Sequence, residues 1–225
     1  MRSRLAAINR LLEQRYGAKK SPERLRDPLD VLVGTILSQN TNDQNSRRAY
    51  DCMRETFPTW RDVMAAPLKE LEAALKPGGL TRTKSRRIQT ILRAIAAEGE
   101  PNLNGLKRLT DEEAEKRLLD FPGVGLKTAR CVLLFALGRD VFPIDTHVYR
   151  VLRRLDIIPK SMSVDRAHAF VPSLIPPGKC YSLHMNLIAH GRQVCHPRGP
   201  QCHDCVLSRA CPSAEQPANR ERKLR

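Results

Sequence analysis

Ala129, Cys131, Val132, Leu133, Leu134, Phe135 and Ala136 leave no polar stripe on the helix they predict. Such a helix is stable in water only when other elements surround it, so it has to lie at the centre of whatever this chain builds. It is entered through "FPGVGLK", two closely spaced glycines with a lysine two positions past the second. The first turn of a helix already carries positive backbone charge, which makes a cation there a position to explain.

The rest of the chain supplies the surroundings. Apolar residues recur every three to four positions in "PLDVLVGTIL", "LKELEAAL", "RRIQTILRAIAAEG" and "HVYRVLRRLDIIP", and alternation with a period of two is scarce. The pattern predicts about ten short helices joined by turns rich in Pro and Gly, an all-α architecture. At the N-terminus Leu5, Ile8, Leu11 and Leu12 share helical spacing, which reads as a packed amphipathic helix. With 225 residues, 41% of them hydrophobic, the chain can bury a core as one large domain or two lobes. The final "SAEQPANRERKLR" has no apolar face and is expected to be a solvated tail.

Thirty-nine Lys and Arg against 24 Asp and Glu give a formal charge of +15, a field that concentrates polyanions. Nucleic acid is the leading partner, with a merely soluble basic protein as the plain alternative. Anionic membrane is disfavoured: no long apolar span exists, and no short apolar block follows the basic start. The expectation is a monomer that begins here, in the cytoplasm, and is nucleoid-associated if the source is bacterial. Aromatic residues make up 4%, too few for a series of single-strand stacking platforms, so duplex backbone is the better match.

Thr110, Asp111, Glu112 and Glu113 form a helix start with the residues of a capping box, and the helix should run to about Leu119. Pro122 ends it, while Gly123 and Gly125 allow positive φ or close backbone approach. Two helices then meet in a hairpin whose exposed N–H groups suit a phosphate oxygen, although many tight turns share that shape. The helix dipole opposes a cation at Lys127 and should lower its pKa from about 10.4, giving more of the free amine that a nucleophile needs. Asp145 is its candidate partner, eighteen positions later in "VFPIDTHVYR" at the start of the next helix. An ordinary N-cap is an equally good reading of Asp145, and capping and catalysis are compatible.

Four of seven cysteines crowd one segment: Cys195, Cys202, Cys205 and Cys211, spaced x6, x2 and x5. Disulfides suit a cytosolic chain poorly. Four thiolates with a C-x2-C pair suit tetrahedral zinc, which the spacing favours, or an iron–sulfur cluster, and either would hold a loop too poor in apolar residues to fold alone. His196 and His203 are expected on the surface, as is Arg198. Cys52, Cys131 and Cys180 are read as buried small hydrophobes.

Together "FPGVGLKTA", "IDTHVYR" and the cysteine cluster preceded by "HGR" resemble endonuclease III, the bifunctional DNA glycosylase and AP lyase of the helix-hairpin-helix superfamily. The likeness runs from about Leu29 to Cys211. It implies two helical lobes: residues 25–139 as a six-helix barrel containing the hairpin at about 111–137, and residues 1–24 with 140–225 as a lobe carrying a [4Fe–4S] cluster loop at 195–211 and a tail at 213–225. DNA carrying a damaged base or abasic site would lie across the cleft, with Lys127 on the barrel side and Asp145 on the cluster side. The resemblance makes Cys195, Cys202, Cys205 and Cys211 cluster ligands. It assigns removal of oxidised or damaged pyrimidines and β-elimination through a Schiff base on Lys127, assisted by Asp145.

By the same likeness "ILSQNTND" offers Gln39 or Asn40 to fill the hole left by an extruded base, where a capped polar helix end is the ordinary reading. In "KPGGLTRTKSRR", Leu80 becomes the wedge, and Arg82, Lys84 and Arg86 become phosphate contacts, against a buried Leu and a solvated helix start. Gly123, Gly125 and His147 join the DNA-binding set. Pro77-Gly78-Gly79 and "SQNT" depart from the family pattern, which bears on lesion and opposite-base preference. The alternatives are a monofunctional mismatch glycosylase, whose kin replace the hairpin lysine, a non-catalytic helix-hairpin-helix DNA-binding protein, and a glycosylase relative whose cluster chiefly exchanges electrons.

Overall fold

The computed structural model describes residues 1–22, 25–97 and 99–214. Among them every regular element is helical: α1 (Arg2–Tyr16), α2 (Pro28–Leu37), α3 (Asp43–Thr56), α4 (Trp60–Ala65), α5 (Leu68–Ala74), α6 (Thr81–Ala96), α7 (Asp111–Leu119), α8 (Leu126–Ala136), α9 (Thr146–Arg154), α10 (Val164–Phe170) and α11 (Cys180–Gln193), with short 3₁₀ turns between some of them. The all-α expectation holds. The chain divides into two compact units, one of Glu23–Arg139 and one of Met1–Pro22 with Asp140–Arg225. The expected boundary at 24/25 abuts residues 23 and 24, and most of the expected tail is residues 215–225; both lie outside the described residues.

In the first unit α8 packs against α2 and α7. Thr128, Ala129, Cys131, Val132, Leu133, Leu134 and Ala136 of α8 are all buried, as its missing polar stripe requires. Facing it, α2 begins at Asp27, whose carboxylate accepts from the Leu29 and Asp30 amides, with Pro28 at the first helical position. It buries Leu29, Val31, Leu32, Val33, Ile36 and Leu37. Around this pair α3 and α6 pack on α2, and α4 and α5 pack on α6.

Lys84 corrects one expectation. It is buried in α6, and its Nζ donates at 2.8 Å to both the Leu37 and the Gly78 carbonyls, tying the C-terminus of α2 to the turn before α6. Burial pulls its pKa down. A phosphate would need that charge in solvent; here it is spent on two main-chain oxygens that the ends of their elements leave free. Arg82 and Arg86, by contrast, are exposed.

In the second unit α1 packs on α11 and α11 on α9. Leu5, Ile8 and Leu12 of α1 are fully buried. The arginines that helical spacing puts off the apolar face of α9 are only partly solvated: Arg153 is exposed, while Arg150 and Arg154 are half-buried and bonded to the cysteine loop described below. Cys131 and Cys180 are buried as expected, whereas Cys52 is half-buried on α3.

The Lys84 clasp gives a test of this packing. Lys84→Met keeps the stem but leaves two buried carbonyls without a donor, and should cost about 2 to 4 kcal/mol in urea unfolding. Arg86→Met, one turn's fraction away on the exposed side, should stay within about 0.5 kcal/mol of the parent.

Candidate active site

The hairpin forms as its sequence dictates. Thr110 accepts from the Glu113 amide and the Glu113 carboxylate accepts from the Thr110 amide, so the capping box starts α7. After Leu119 the chain turns through a Phe121 carbonyl that accepts from the Val124 amide at 3.1 Å. Phe121 and Val124 are buried plugs; Gly123 and Gly125 are exposed. Gly123 has φ 73°, in the left-handed region, and Gly125 caps α8. Arg130 on α8 forks onto Glu115 on α7, Nε to Oε2 at 2.6 Å and Nη2 to Oε1 at 3.3 Å, which locks the two helices together.

Lys127 lies in the first turn of α8 and is half-exposed, between Leu126 and the buried Thr128. Gln39, just past the end of α2, belongs to the same neighbourhood: its Nε2 is 3.5 Å from the Thr128 hydroxyl, and its Oε1 accepts from Arg87 Nη1 at 2.7 Å. Asn40 is different, exposed and at φ 53°. The structure thus separates two residues that the sequence left as equals. Leu80 precedes α6 at φ 49° and is 56% exposed, a leucine in a backbone conformation that costs a side-chain-bearing residue about 1–2 kcal/mol. It is not buried. Arg87 was missed by sequence reasoning, because neither partner lies within helical reach of it in the chain.

Asp145 is the N-cap of α9: Oδ1 accepts from the Val148 amide at 2.7 Å. Among the described residues the Val148 amide is the one hydrogen-bond donor to this carboxylate, and it uses Oδ1 alone. The capping reading is correct, and it leaves half of the carboxylate available. His147, two residues on, is half-buried; burial lowers its pKa, partly countered by Asp145, and its Nδ1 lies 3.1 Å from Arg150 Nη2. A Cβ on Gly191 would come within 3.0 Å of the His147 Cβ, so the glycine of "HGR" is what lets α11 cross α9 this closely.

The four cysteines line one pocket, together with Val151, Leu155, His190, Val194 and Leu207. Burial pushes the Cys205 thiol up, and the other three cysteines push it further, as they must if their sulfurs face a common space. The loop has little regular structure and borrows donors from α9. Arg150 Nε donates to the Cys195 carbonyl at 3.0 Å; Arg154 donates to the carbonyls of His196 and Pro197 and lies 3.2 Å from the Cys195 sulfur. His190 of "HGR" stands between Tyr16 and the loop, with Nδ1 3.0 Å from the Tyr16 hydroxyl and Nε2 3.5 Å from the Cys205 sulfur. Burial holds its pKa at about 4, so it is neutral near pH 7. A phenol donating to Nδ1 fixes the tautomer with the proton on Nε2, aimed at sulfur. His203 is exposed beside Asp204, His196 is half-buried, and Arg198 is exposed. Among the described residues, no group of three or more His, Cys, Asp or Glu side chains is arranged to hold a single metal ion, and no helix is long and apolar enough to cross a membrane.

A helical hairpin turning on glycine, with an amine at the head of its second helix, defines a helix-hairpin-helix protein of the base-excision class. The sequence model described as HhH-GPD superfamily base excision DNA repair protein matches residues 33–177, and the chain belongs to that superfamily, within its endonuclease III family. Endonuclease III of Thermotoga maritima is 31% identical over 82% of this chain and 83% of that one. A protein of Arabidopsis thaliana provisionally named a DNA glycosylase is 37% identical over 83% of this chain, which spans about three fifths (61%) of that longer relative. A solved structure of an endonuclease III trapped as a covalent intermediate with DNA is 26% identical, with a TM-score of 0.80 over 100% of this chain and 99% of that one.

The cap at Asp145 is testable apart from any chemistry. Asp145→Ala should lower stability by about 1 kcal/mol, while Asp145→Asn, which can still accept from the Val148 amide, should lie within a few tenths of the parent in the same thermal melts.

Proposed function

We propose that this protein is a base-excision DNA glycosylase and AP lyase acting on oxidised or damaged pyrimidines in duplex DNA. The observation that carries the reading is Lys127: a half-exposed lysine in the first turn of a buried helix, two residues past an exposed two-glycine turn, in a chain of the endonuclease III family. The damaged nucleotide leaves the stack at a cost of a few kcal/mol, least for a base that pairs poorly. The lone pair of Lys127 Nζ attacks C1′ of the sugar; the bond from C1′ to the base breaks, and its electron pair leaves with the base, which takes up a proton. Asp145, through the oxygen not used as a cap, stabilises positive charge on the sugar as that bond stretches. Ring opening then yields a protonated Schiff base. Loss of the C2′ proton puts its electrons into a new C=C bond, and the C3′–O bond breaks with departure of the 3′ phosphate. Water releases the amine.

Exposed N–H groups at Gly123 and Gly125 are assigned to a phosphate, Gln39 to the hole left by the extruded base, and Leu80 to the opposite strand; the exposure of Leu80 and the tethering of Gln39 support those roles. His147 is assigned to DNA contact as well, as a half-buried ring beside Arg150. The assignment of a [4Fe–4S] cluster to Cys195, Cys202, Cys205 and Cys211 is supported by the one pocket they share and by the family to which the chain belongs. Arg154 beside the Cys195 sulfur would supply positive charge to a set of thiolates. When bound, the group would serve to hold the loop in place.

Borohydride reduction in the presence of a duplex containing an oxidised thymine should trap a covalent protein–DNA complex. Lys127→Ala should abolish the trap and lower strand cleavage by at least about a thousandfold; robust nicking by that variant would refute the role of the amine. Asp145→Asn, stable by the measure above, should lose base release by about a hundredfold or more. Protein purified without oxygen should contain iron and acid-labile sulfide in equal amounts, and Cys205→Ser should lose both; zinc in place of iron in the parent protein would overturn the cluster assignment.

A further inference from the structure

Arg87 joins three pieces of the first unit that are far apart in sequence. Its Nη1 donates to Gln39 Oε1 at 2.7 Å, and Gln39 Nε2 in turn reaches the hydroxyl of Thr128, the residue after Lys127. Its guanidinium also lies against Gly123: a Cβ built there would meet Arg87 Nε at 2.2 Å and Cζ at 2.3 Å. The glycine suits φ 73° and also leaves room for Arg87 in this position.

The chemistry of the pair settles which way the Gln39 amide points. Guanidinium has five donors and no acceptor, so the atom facing it has to be the amide oxygen. The NH2 end is turned towards α8, where one of its two hydrogens meets Thr128 and the other has no acceptor among the described residues. We infer that Arg87 is a positioning residue for Gln39, holding its amide oxygen so that the NH2 end is what the protein presents to the base opposite the lesion. This rests on the assignment of Gln39 to the hole in the duplex; Arg87 itself touches no reacting atom.

A double-mutant cycle on binding tests it without any chemistry. Full-length protein is titrated against a duplex carrying a tetrahydrofuran abasic analogue opposite adenine or guanine, and against the undamaged duplex, by fluorescence anisotropy. The analogue has no base to excise, so loss of lyase activity leaves the measurement readable. Gln39→Ala should reduce the preference for the abasic duplex about tenfold, Arg87→Met should reduce it by a similar factor, and the double variant should lose no more than either alone. Losses that multiply in the double variant, an Arg87→Met protein with unaltered preference, or a parent that binds the two duplexes equally would each overturn the proposal. Gln39→Glu covers the case in which Arg87→Met melts early: its carboxylate would grip Arg87 more tightly and offer no NH2 end, so the preference should fall at least as far as in Gln39→Ala. Parental preference in that variant would also overturn the inference. A protein that is trapped by borohydride yet shows independent losses in the cycle would reject Arg87 as the positioning residue and leave the catalytic reading standing.

Discussion

The placement of Lys127 depends on the burial of α8. Val132, Leu133 and Leu134 are at most 2% exposed, and each such side chain contributes about 1.5–3 kcal/mol on leaving water. A cation in the first turn of a helix costs about 0.3–1 kcal/mol. The packing term is several times larger, so the helix keeps its register and the amine stays at its head. The Arg130–Glu115 fork adds direction to this non-directional force: it fixes α8 against α7, and hence the first turn of α8 against the glycine turn. The unfavourable charge is thus a property of the fold that an approaching phosphate or carboxylate would relieve.

In the second unit the problem is the reverse, a segment with almost no apolar content that still has to hold four sulfurs round one space. Leu207, at 1% exposure, is its main apolar anchor. The remaining order comes from side-chain donors: Arg150 and Arg154 reach from α9 to the carbonyls of Cys195, His196 and Pro197, and Arg4 of α1 reaches the Ala210 carbonyl at 3.2 Å. Main-chain oxygens that no ladder satisfies are met by guanidinium forks, which have donors to spare. Charge that reads as a surface basic flank in the sequence is here partly structural. Its proximity to Cys195 gives it a second use, because the same arginine that closes the loop donates to the Cys195 sulfur.

How far the sequence could be read follows from what periodicity encodes. The capping box at Thr110, the glycine hairpin and the all-round apolar face of α8 are local patterns, and each forms as its residues dictate. Lys84 was legible in principle: Lys84, Ile88, Ile91 and Ile95 fall at the spacing of one helix face, and all are buried. The basic run around it hid that register. Arg150 and Arg154 were not legible, because a helical pattern says which face is polar and not whether water or another backbone meets it. The same limit applies to Arg87, whose partners Gln39 and Gly123 come from other elements, and to the choice between Gln39 and Asn40, which turns on a contact made by Thr128.

Backbone strain falls where those assignments would put it. Asn40, Leu80 and Asp156 are the non-glycine residues at positive φ among those described. Asp156 terminates α9, its amide donating to the Arg153 carbonyl at 3.1 Å, so local bonding accounts for it. Asn tolerates the left-handed region because its short polar side chain can bond locally. Leucine has no such excuse, and with more than half its surface in water Leu80 recovers little of the cost through burial. A glycine there would relieve the strain and remove an exposed apolar group at once. Under the wedge role proposed for Leu80, the compensation would come from a surface the free protein lacks, the apolar face of a base pair opened beside the lesion.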